Sequence, residues 1–338
     1  MKAFVVHQNA HPSKIALTTD WPVPKLGDKQ IMVDVYSAGL NFFDILQAQG
    51  KHQSKPPLPF TLGSEFAGKV SHGFPLPAGC PFKPGDRVFG AALGSYAEKV
   101  AADVDSVMPL PDSLTFDQGA GLFVTWPTSY EALVGRAQLQ RGEFVLVTAA
   151  AGGVGVAAVQ LAKGLGAKVI AAAGSQEKLD IAKKYGGADF TVDYTKPGWQ
   201  QEVLKITNGK GADVIYDPVG MITDSLKCIA WKGRAIVVGF AAGTVEKVPM
   251  NLVLLKNISL VGIHWGAYRV KEPEHMPSVY KAFLDLLESR RVSPPVVYQE
   301  IFKLDKVVDG LRALENRQTW GKAVVRVKDE ERAVKSKL

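Results

Sequence analysis

Residues 148–175 read TAAAGGVGVAAVQLAKGLGAKVIAAAGS. A dinucleotide-binding turn carries three glycines in the spacing G-x-G-x-x-G, directly after a strand and at the start of a helix. Here the three positions are Ala149, Gly152 and Gly155, so alanine stands where the first glycine belongs. The flanks decide how to read it. EFVLVTA before the turn is a short apolar run of strand type. After it, Val154, Ala157, Ala158, Leu161 and Leu165 recur at helical spacing. In that frame Gly152 lets the backbone approach a pyrophosphate at a helix N-terminus, and Gly155 lets the helix pack close on the strand. Alanine serves at position 149 provided its backbone stays out of the left-handed region.

Working outward, strand-like and helix-like segments alternate to about Gly262. AKVIAAAG, DFTVDY, ADVIYDPVG, RAIVVGF and ISLVGIHWG are the strand candidates after the first. Alternation at this pitch predicts a doubly wound parallel sheet. Upstream of Ser113 the chain is dense in proline and glycine, as in KPPLPFTLG and HGFPLPAGCPFKPGDRVFG, and KQIMVDVYSAG places Ile31, Val33 and Val35 on one face. That pattern predicts a compact β-rich domain. The tail offers the amphipathic stretch SVYKAFLDLLESRR, a second with Val307, Leu311 and Leu314, and the strand GKAVVRV. It is too short for a third domain, so we expect it to rejoin the first. The expected division is 1–122 with 267–338, and 123–266.

Composition narrows the class. Of 338 residues, 46% are hydrophobic and 22% charged, the balance of a globular chain, and no apolar run is long enough to span a bilayer. The formal charge is +7, but the basic residues are scattered, which argues against nucleic acid as the partner. Cys80 and Cys228 are the only cysteines, too few for a four-thiolate zinc site, and read as reduced thiols.

The end of the second strand bears on the cofactor. A chain selecting NAD places Asp or Glu there for the ribose 2′-hydroxyl. This chain has Gly174 and Ser175, with Lys178 one helical turn on. An ammonium and a hydroxyl would hold a 2′-phosphate that a carboxylate would repel, which favours NADPH. The alternative for Lys178 is a solvated helix lysine.

AGLNFFDILQAQG, LGSEFAGKV, FKPGDRVFG, GSYAEKV, TAAAGGVG, VIYDPVG and ENRQTWGKAVV together resemble the medium-chain dehydrogenase/reductase superfamily. More narrowly, they resemble its zinc-free quinone oxidoreductase branch, which includes ζ-crystallin. The resemblance covers nearly the whole chain and implies an α/β fold, a β-rich GroES-like catalytic domain plus a Rossmann doubly wound parallel-sheet domain. Zinc alcohol dehydrogenases of the superfamily have Cys in the segment matching AGLNFFD and Gly-His-Glu where this chain has Gly63-Ser64-Glu65. Asn41 and Ser64 are not zinc ligands, so no metal is expected, and Glu65 reads as a structural carboxylate.

Carried over to matching positions, the resemblance implies Asn41 near the nicotinamide ribose and Thr128 by the nicotinamide. It implies Gly152, Gly153 and Val154 over the pyrophosphate, with Lys178 and Tyr194 at the adenosine phosphate beside Gly174 and Ser175. Phe240 would line the nicotinamide pocket and Arg317 would reach the cofactor from the tail. As alternatives, Tyr194 and Phe240 are core aromatics and Arg317 is a surface arginine. The branch has tyrosine shortly after the glycine closing ILQAQG, where this chain has Lys51-His52-Gln53. His52 would replace that tyrosine or lie on the surface. His264, Trp265 and Tyr268 of GIHWGAY would form an aromatic wall for a flat acceptor.

Without a metal, and without the Ser–Tyr–Lys proton relay of the short-chain reductases, hydride transfer to a conjugated acceptor is the expected reaction. The acceptor is a quinone or other conjugated carbonyl. The alternatives are a double-bond reductase for 2-alkenals, enones or enoyl thioesters, and an NADPH-binding protein with a non-catalytic RNA-binding or crystallin-like role. The apolar last strand, NISLVGIHWG, predicts a homodimer joined at that sheet edge. The ending Ser336-Lys337-Leu338 matches the peroxisomal import tripeptide, so a eukaryotic source predicts an import receptor and a peroxisomal address, and any other source the cytoplasm.

Overall fold

A computed structural model of the chain describes residues 1–330, and the Ser336-Lys337-Leu338 ending lies outside the described residues. In the N-terminal part the elements are β1 (Ala3–Val6), β2 (Leu17–Thr18), β3 (Gln30–Gly39), α1 (Phe42–Ala48), β4 (Phe60–Thr61) and β5 (Glu65–Val70). They continue with β6 (Arg87–Ala91), β7 (Lys99–Asp103), β8 (Val107–Pro109) and the short α2 (Phe116–Gly119). The middle of the chain gives α3 (Thr125–Glu131), β9 (Phe144–Val147), α4 (Gly153–Gly164), β10 (Lys168–Ala173), α5 (Gln176–Lys184) and β11 (Phe190–Asp193). Next come α6 (Trp199–Ile206), β12 (Ala212–Asp217), α7 (Ile222–Ser225), β13 (Ile229–Val237), α8 (Met250–Lys256) and β14 (Ser259–Gly262). The helices α9 (Trp265–Lys271) and α10 (Met276–Glu288) follow, then β15 (Phe302–Lys303), α11 (Val307–Glu315) and β16 (Val324–Arg326).

The chain divides into two compact units: Met1–Phe123 with the segment from Val297 on, and Val124–Val296. The return falls later than the expected residue 267. The reason is α10, whose Val279, Tyr280 and Phe283 are buried. Phe283 meets Trp126 of α3 at 5.9 Å and Tyr280 meets Trp265 of α9 at 6.1 Å between ring centroids, which keeps α9 and α10 in the second unit.

In the first unit β3 is buried along nearly its whole length because it has neighbours on both edges. β5 and β7 pair with it antiparallel, and β16 pairs with its C-terminal end. The sheet runs β15-β16-β3-β5-β6-β8, and a separate sheet runs β2-β1-β4. Phe4, Val33, Phe66 and Tyr96 belong to its core. Register matters for function. Gly39, the last residue of β3, lies opposite both Glu65 and Val324. A Cβ on Gly39 would stand 2.6 Å from Glu65 Oε1 and 2.7 Å from Lys322 Cε, so only glycine admits both side chains.

The second unit holds a six-stranded parallel sheet in the order β11-β10-β9-β12-β13-β14. Numbered from β9, this is the doubly wound order 3-2-1-4-5-6, whose strand order reverses between β9 and β12. Ligands of such sheets bind outside the carboxyl ends of the strands at that reversal. Leu146, Ile170, Ile215 and Ala235 fill the core against α6, α7 and the strands. Among the described residues no helix is long and apolar enough to cross a membrane.

Candidate active site

The turn between β9 and α4 lies at the strand-order reversal. Gly152 is the N-cap of α4, and its N–H donates to the carbonyl of Ala149 at 2.9 Å. Gly153 and Val154 begin the helix, so their N–H groups have no intrahelical acceptor and can serve an anion. Gly155 packs so close that a Cβ would lie 2.2 Å from the carbonyl oxygen of Ala149. Ala149 itself departs from expectation: its φ is +45°, inside the left-handed region. The chain must deliver the Ala150 N–H to Ala172 while turning the Ala149 carbonyl toward Gly152. A non-glycine residue in that conformation costs roughly 1–2 kcal/mol.

Two buried networks hold this turn. Ser129 Oγ lies 2.9 Å from the Val154 carbonyl oxygen, which accepts from it, and 2.9 Å from Tyr216 Oη of β12. Asp217, fully buried at the end of β12, accepts from Thr148 Oγ1 and from the N–H groups of Val219, Gly220 and Met221. The half-buried Thr128, on α3, donates its hydroxyl to the Val124 carbonyl at 2.6 Å.

At the end of β10 the structure gathers four of the expected residues. Ser175 caps α5 and accepts the Lys178 N–H at 3.4 Å. Gly174 is exposed, and a Cβ there would be 3.3 Å from Tyr194 Cε2 and 3.7 Å from its hydroxyl. Gly174, Ser175, the backbone of Lys178 and the half-buried ring of Tyr194 therefore share one place, and neither residue that ends the strand is acidic.

Phe240, in the loop after β13, is 44% exposed and stands against Gly220, the loop after β12, where a Cβ would meet its ring at 3.6 Å. Of the expected aromatic wall, only His264 is exposed. Trp265 is 6% exposed, its ring stacked on Tyr268 at 4.9 Å. Tyr268 donates to the buried Glu131 carboxylate at 3.3 Å, which also meets His275 Nε2 at 3.0 Å.

The remaining expected residues lie in the first unit. Asn41 caps α1 and is 7% exposed. Its side-chain N–H donates to Glu65 at 2.9 Å and its side-chain oxygen accepts from Lys322 Nζ at 2.8 Å. Lys322 also pairs directly with Glu65, and both side chains are buried. Alongside, Asp44 accepts from the Asn41 N–H at 2.9 Å, Tyr96 Oη at 2.6 Å and Ser64 Oγ at 2.8 Å. Burial pushes the Asp44 carboxyl up to about 6, against the lowering effect of those donors and of Lys322. Burial also lifts Tyr96, with the neighbouring Asp44 charge adding to it. His52 is half-buried on the loop after α1, where its Nδ1 accepts from the Ser54 N–H at 3.2 Å and its ring faces Phe43 at 5.6 Å. Arg317 is exposed, at φ +58°, in the turn after α11.

Reading by motif missed Asp44, Tyr96, Asp217 and Lys322. One signal was present: Asn41-Phe42-Phe43-Asp44 has the spacing of a helix N-cap with an acidic third residue. Among the described residues no group of three or more His, Cys, Asp or Glu is placed to hold a metal ion.

The model for the alcohol dehydrogenase GroES-like domain matches residues 27–112, and that for zinc-binding dehydrogenases matches residues 153–289. Quinone oxidoreductase-like protein 2 homolog of Nematostella vectensis is 40% identical over 309 residues, covering 90% of this chain and 83% of the relative. The chain belongs to the zinc-free quinone oxidoreductase branch of the medium-chain dehydrogenase/reductase superfamily. Human quinone oxidoreductase, of the same branch, is 34% identical over 268 residues, 78% of this chain and 80% of its own length. Among solved structures, Escherichia coli quinone oxidoreductase complexed with NADPH superposes with a TM-score of 0.84 at 29% identity, covering 97% of this chain and all of that one. The Thermus thermophilus quinone oxidoreductase, also solved with NADPH, gives 0.81 at 30% identity over 97% of this chain and 100% of that one. The zinc-binding name attached to one model does not fit this branch member's residues. Asn41 and Ser64 stand where ligands would be, and the Glu65 carboxylate faces a lysine ammonium.

Proposed function

We propose that the protein is an NADPH-dependent oxidoreductase that reduces a quinone or another conjugated carbonyl acceptor without a metal ion. The observation that carries the cofactor is the end of β10, where Gly174, Ser175, Lys178 and Tyr194 meet with no acidic residue at the strand end. Two solved relatives with NADPH bound support it.

NADPH supplies a hydride when bound. The chain's own contribution is to hold and orient. Gly152 would let the backbone approach the pyrophosphate, and the N–H groups of Gly153 and Val154 would receive it, helped by the α4 dipole. Lys178, Ser175 and Tyr194 receive the 2′-phosphate through charge-assisted hydrogen bonds. In the second unit Thr128 would set the nicotinamide face, and the exposed Phe240 and His264 would border the acceptor; for Asn41, His52 and Arg317 of the first unit the family resemblance implies the cofactor and acceptor roles given above. A quinone or enone spreads the incoming negative charge over its conjugated system, so no Lewis acid is required. Orientation is then the main source of rate.

The test is NADPH oxidation against quinones, 2-alkenals, enones and enoyl thioesters, with elemental analysis of the purified protein. We expect turnover of a quinone, unaffected by chelator, in a protein without stoichiometric zinc. Turnover confined to alkenals or enoyl thioesters makes it a double-bond reductase instead. Silence on every acceptor leaves the non-catalytic role.

A homodimer joined at β14 belongs to the same reading. β14 ends the six-stranded sheet, and Leu254 and Leu255 of the preceding α8 are 78% and 68% exposed. An unpaired apolar sheet edge of this kind invites a second strand. Light scattering at micromolar concentration should give twice the mass of one chain.

A further inference from the structure

We infer that Glu246 is a positioning residue: its carboxylate pins the loop after β13 onto the turn after β12, and so fixes Phe240 as a wall of the nicotinamide and acceptor pocket. The role of Phe240 belongs to the acceptor-reduction reading above, on which this inference rests. The pinning itself stands on contacts within the second unit.

Five successive backbone N–H groups follow β12, from Val219 to Thr223, and two carboxylates take all five. Asp217 accepts from Val219 at 3.1 Å, Gly220 at 3.0 Å and Met221 at 2.6 Å. α7 begins at Ile222, so the N–H groups of Ile222 and Thr223 have no intrahelical acceptor. Glu246 supplies one from a different loop. Its Oε2 accepts from Ile222 at 2.6 Å and its Oε1 from Thr223 at 2.9 Å. Bonds from a backbone N–H to a carboxylate are the stronger, charge-assisted kind.

The loop that carries Glu246 has few apolar anchors. From Phe240 to Met250 every residue is exposed except Glu246 and Val248, and Val248 packs on the core of the second unit. Near its start the loop is tied by backbone bonds, Ala241 N–H to the Pro218 carbonyl and Ala242 N–H to the Val219 carbonyl, each at 3.0 Å. It then crosses Gly220, where a Cβ would lie 3.2 Å from the Thr244 carbonyl oxygen and 3.6 Å from the Phe240 ring. Asp217 fixes the turn beneath, because it also accepts from Thr148 at the end of β9. Loop and turn lie beyond the carboxyl ends of β12 and β13, the edge at which ligands of a doubly wound sheet bind. An exposed loop of this kind opens locally at little cost, and Glu246 opposes that opening. Phe240 is then presented from one place, which is what a reaction driven by orientation requires.

The test combines amide hydrogen exchange with turnover for wild type, Glu246→Ala, Glu246→Gln, Phe240→Ala and the double variant of Glu246→Ala with Phe240→Ala. Exchange needs no substrate. In Glu246→Ala the amides of Ile222, Thr223, Ala241 and Ala242 should exchange about tenfold faster, while Val219, Gly220 and Met221, held by Asp217, stay as in wild type. Glu246→Gln keeps an acceptor oxygen and should fall between the two. Turnover is followed with 1,4-naphthoquinone, or with the enone or alkenal that wild type reduces. Glu246→Ala should lose about tenfold in kcat and leave NADPH affinity unchanged by titration, since the phosphate contacts lie elsewhere. Added to Phe240→Ala, it should cost nothing further in kcat. Exchange in Glu246→Ala equal to wild type overturns the pinning. An unchanged kcat, or the same loss with and without the Phe240 ring, overturns the positioning role, because a merely structural tether acts equally in both backgrounds. A wild type that binds NADPH but reduces no acceptor overturns the acceptor reading and the positioning role with it, and the pinning then stands or falls on exchange alone.

Discussion

Replacing Lys322 by methionine removes one charge from the most deeply enclosed ion pair of the first unit. Glu65 has no exposed surface and the Lys322 side chain is 6% exposed, so neither charge has solvent to fall back on. Methionine keeps most of the stem that packs beside Gly39 and Gly121 while deleting the ammonium. Glu65 keeps the Asn41 donor but loses its countercharge, and Asn41 loses the donor to its side-chain oxygen. Removing one partner of a buried pair costs about 3–5 kcal/mol, mostly because the other charge stays buried. At roughly 2–4 °C per kcal/mol for a unit of this size, calorimetry should show the transition of the first unit lowered by roughly 6–20 °C. Removing both charges, in Glu65→Gln with Lys322→Met, leaves neither member of this pair charged, and the double variant should return to within about 1 kcal/mol of wild type. The reasoning fails if Lys322→Met lies within about 1 kcal/mol of wild type. It also fails if the double variant loses the sum of the two single losses, for then the pair is not coupled.

Three other outcomes are expected. Lys178→Ala should weaken NADPH about ten- to a hundredfold and leave NADH unchanged, by calorimetric titration; equal wild-type affinities for the two nucleotides would contradict the placing of the 2′-phosphate. The folded-state Asp44 carboxyl titrates near 6 rather than 3.8, so between those values the folded chain holds a proton that the unfolded chain has released, and stability falls as pH rises through that window. Melting curves of wild type and Asp44→Asn should therefore diverge by about 2 kcal/mol between pH 4 and 7, in favour of the variant at the higher pH, and a constant gap would refute it. Ala149→Gly should stabilise the second unit by about 0.5–1 kcal/mol, the relief of left-handed strain less the added freedom of glycine in the unfolded chain; a lower midpoint in denaturant would count against strain at φ +45°.

The turn at Ala149, Gly152 and Gly155 and the strand end at Gly174 and Ser175 were legible because a strand–turn–helix unit is local. Its spacing is written within some thirty residues, and so is the doubly wound alternation that follows. The backbone angle of Ala149 was not legible, since it is imposed by hydrogen bonds to Ala172 and Gly152 that only the folded sheet creates. Nor was the return of the chain to the first unit, which waits on α10 because buried rings of Tyr280 and Phe283 find Trp265 and Trp126. The same holds for the group of Asn41, Asp44, Ser64, Glu65, Tyr96 and Lys322. By sequence alone, Lys322 and Asp44 are two charges among 73, with nothing to join them. Strand register joins them, by setting Gly39 opposite both Glu65 and Val324 and leaving room beside it for a carboxylate and a lysine. Local pattern determined the fold class and the nucleotide-binding turn; the buried proton and charge network was decided by pairings between strands far apart in the chain, which no local pattern encodes.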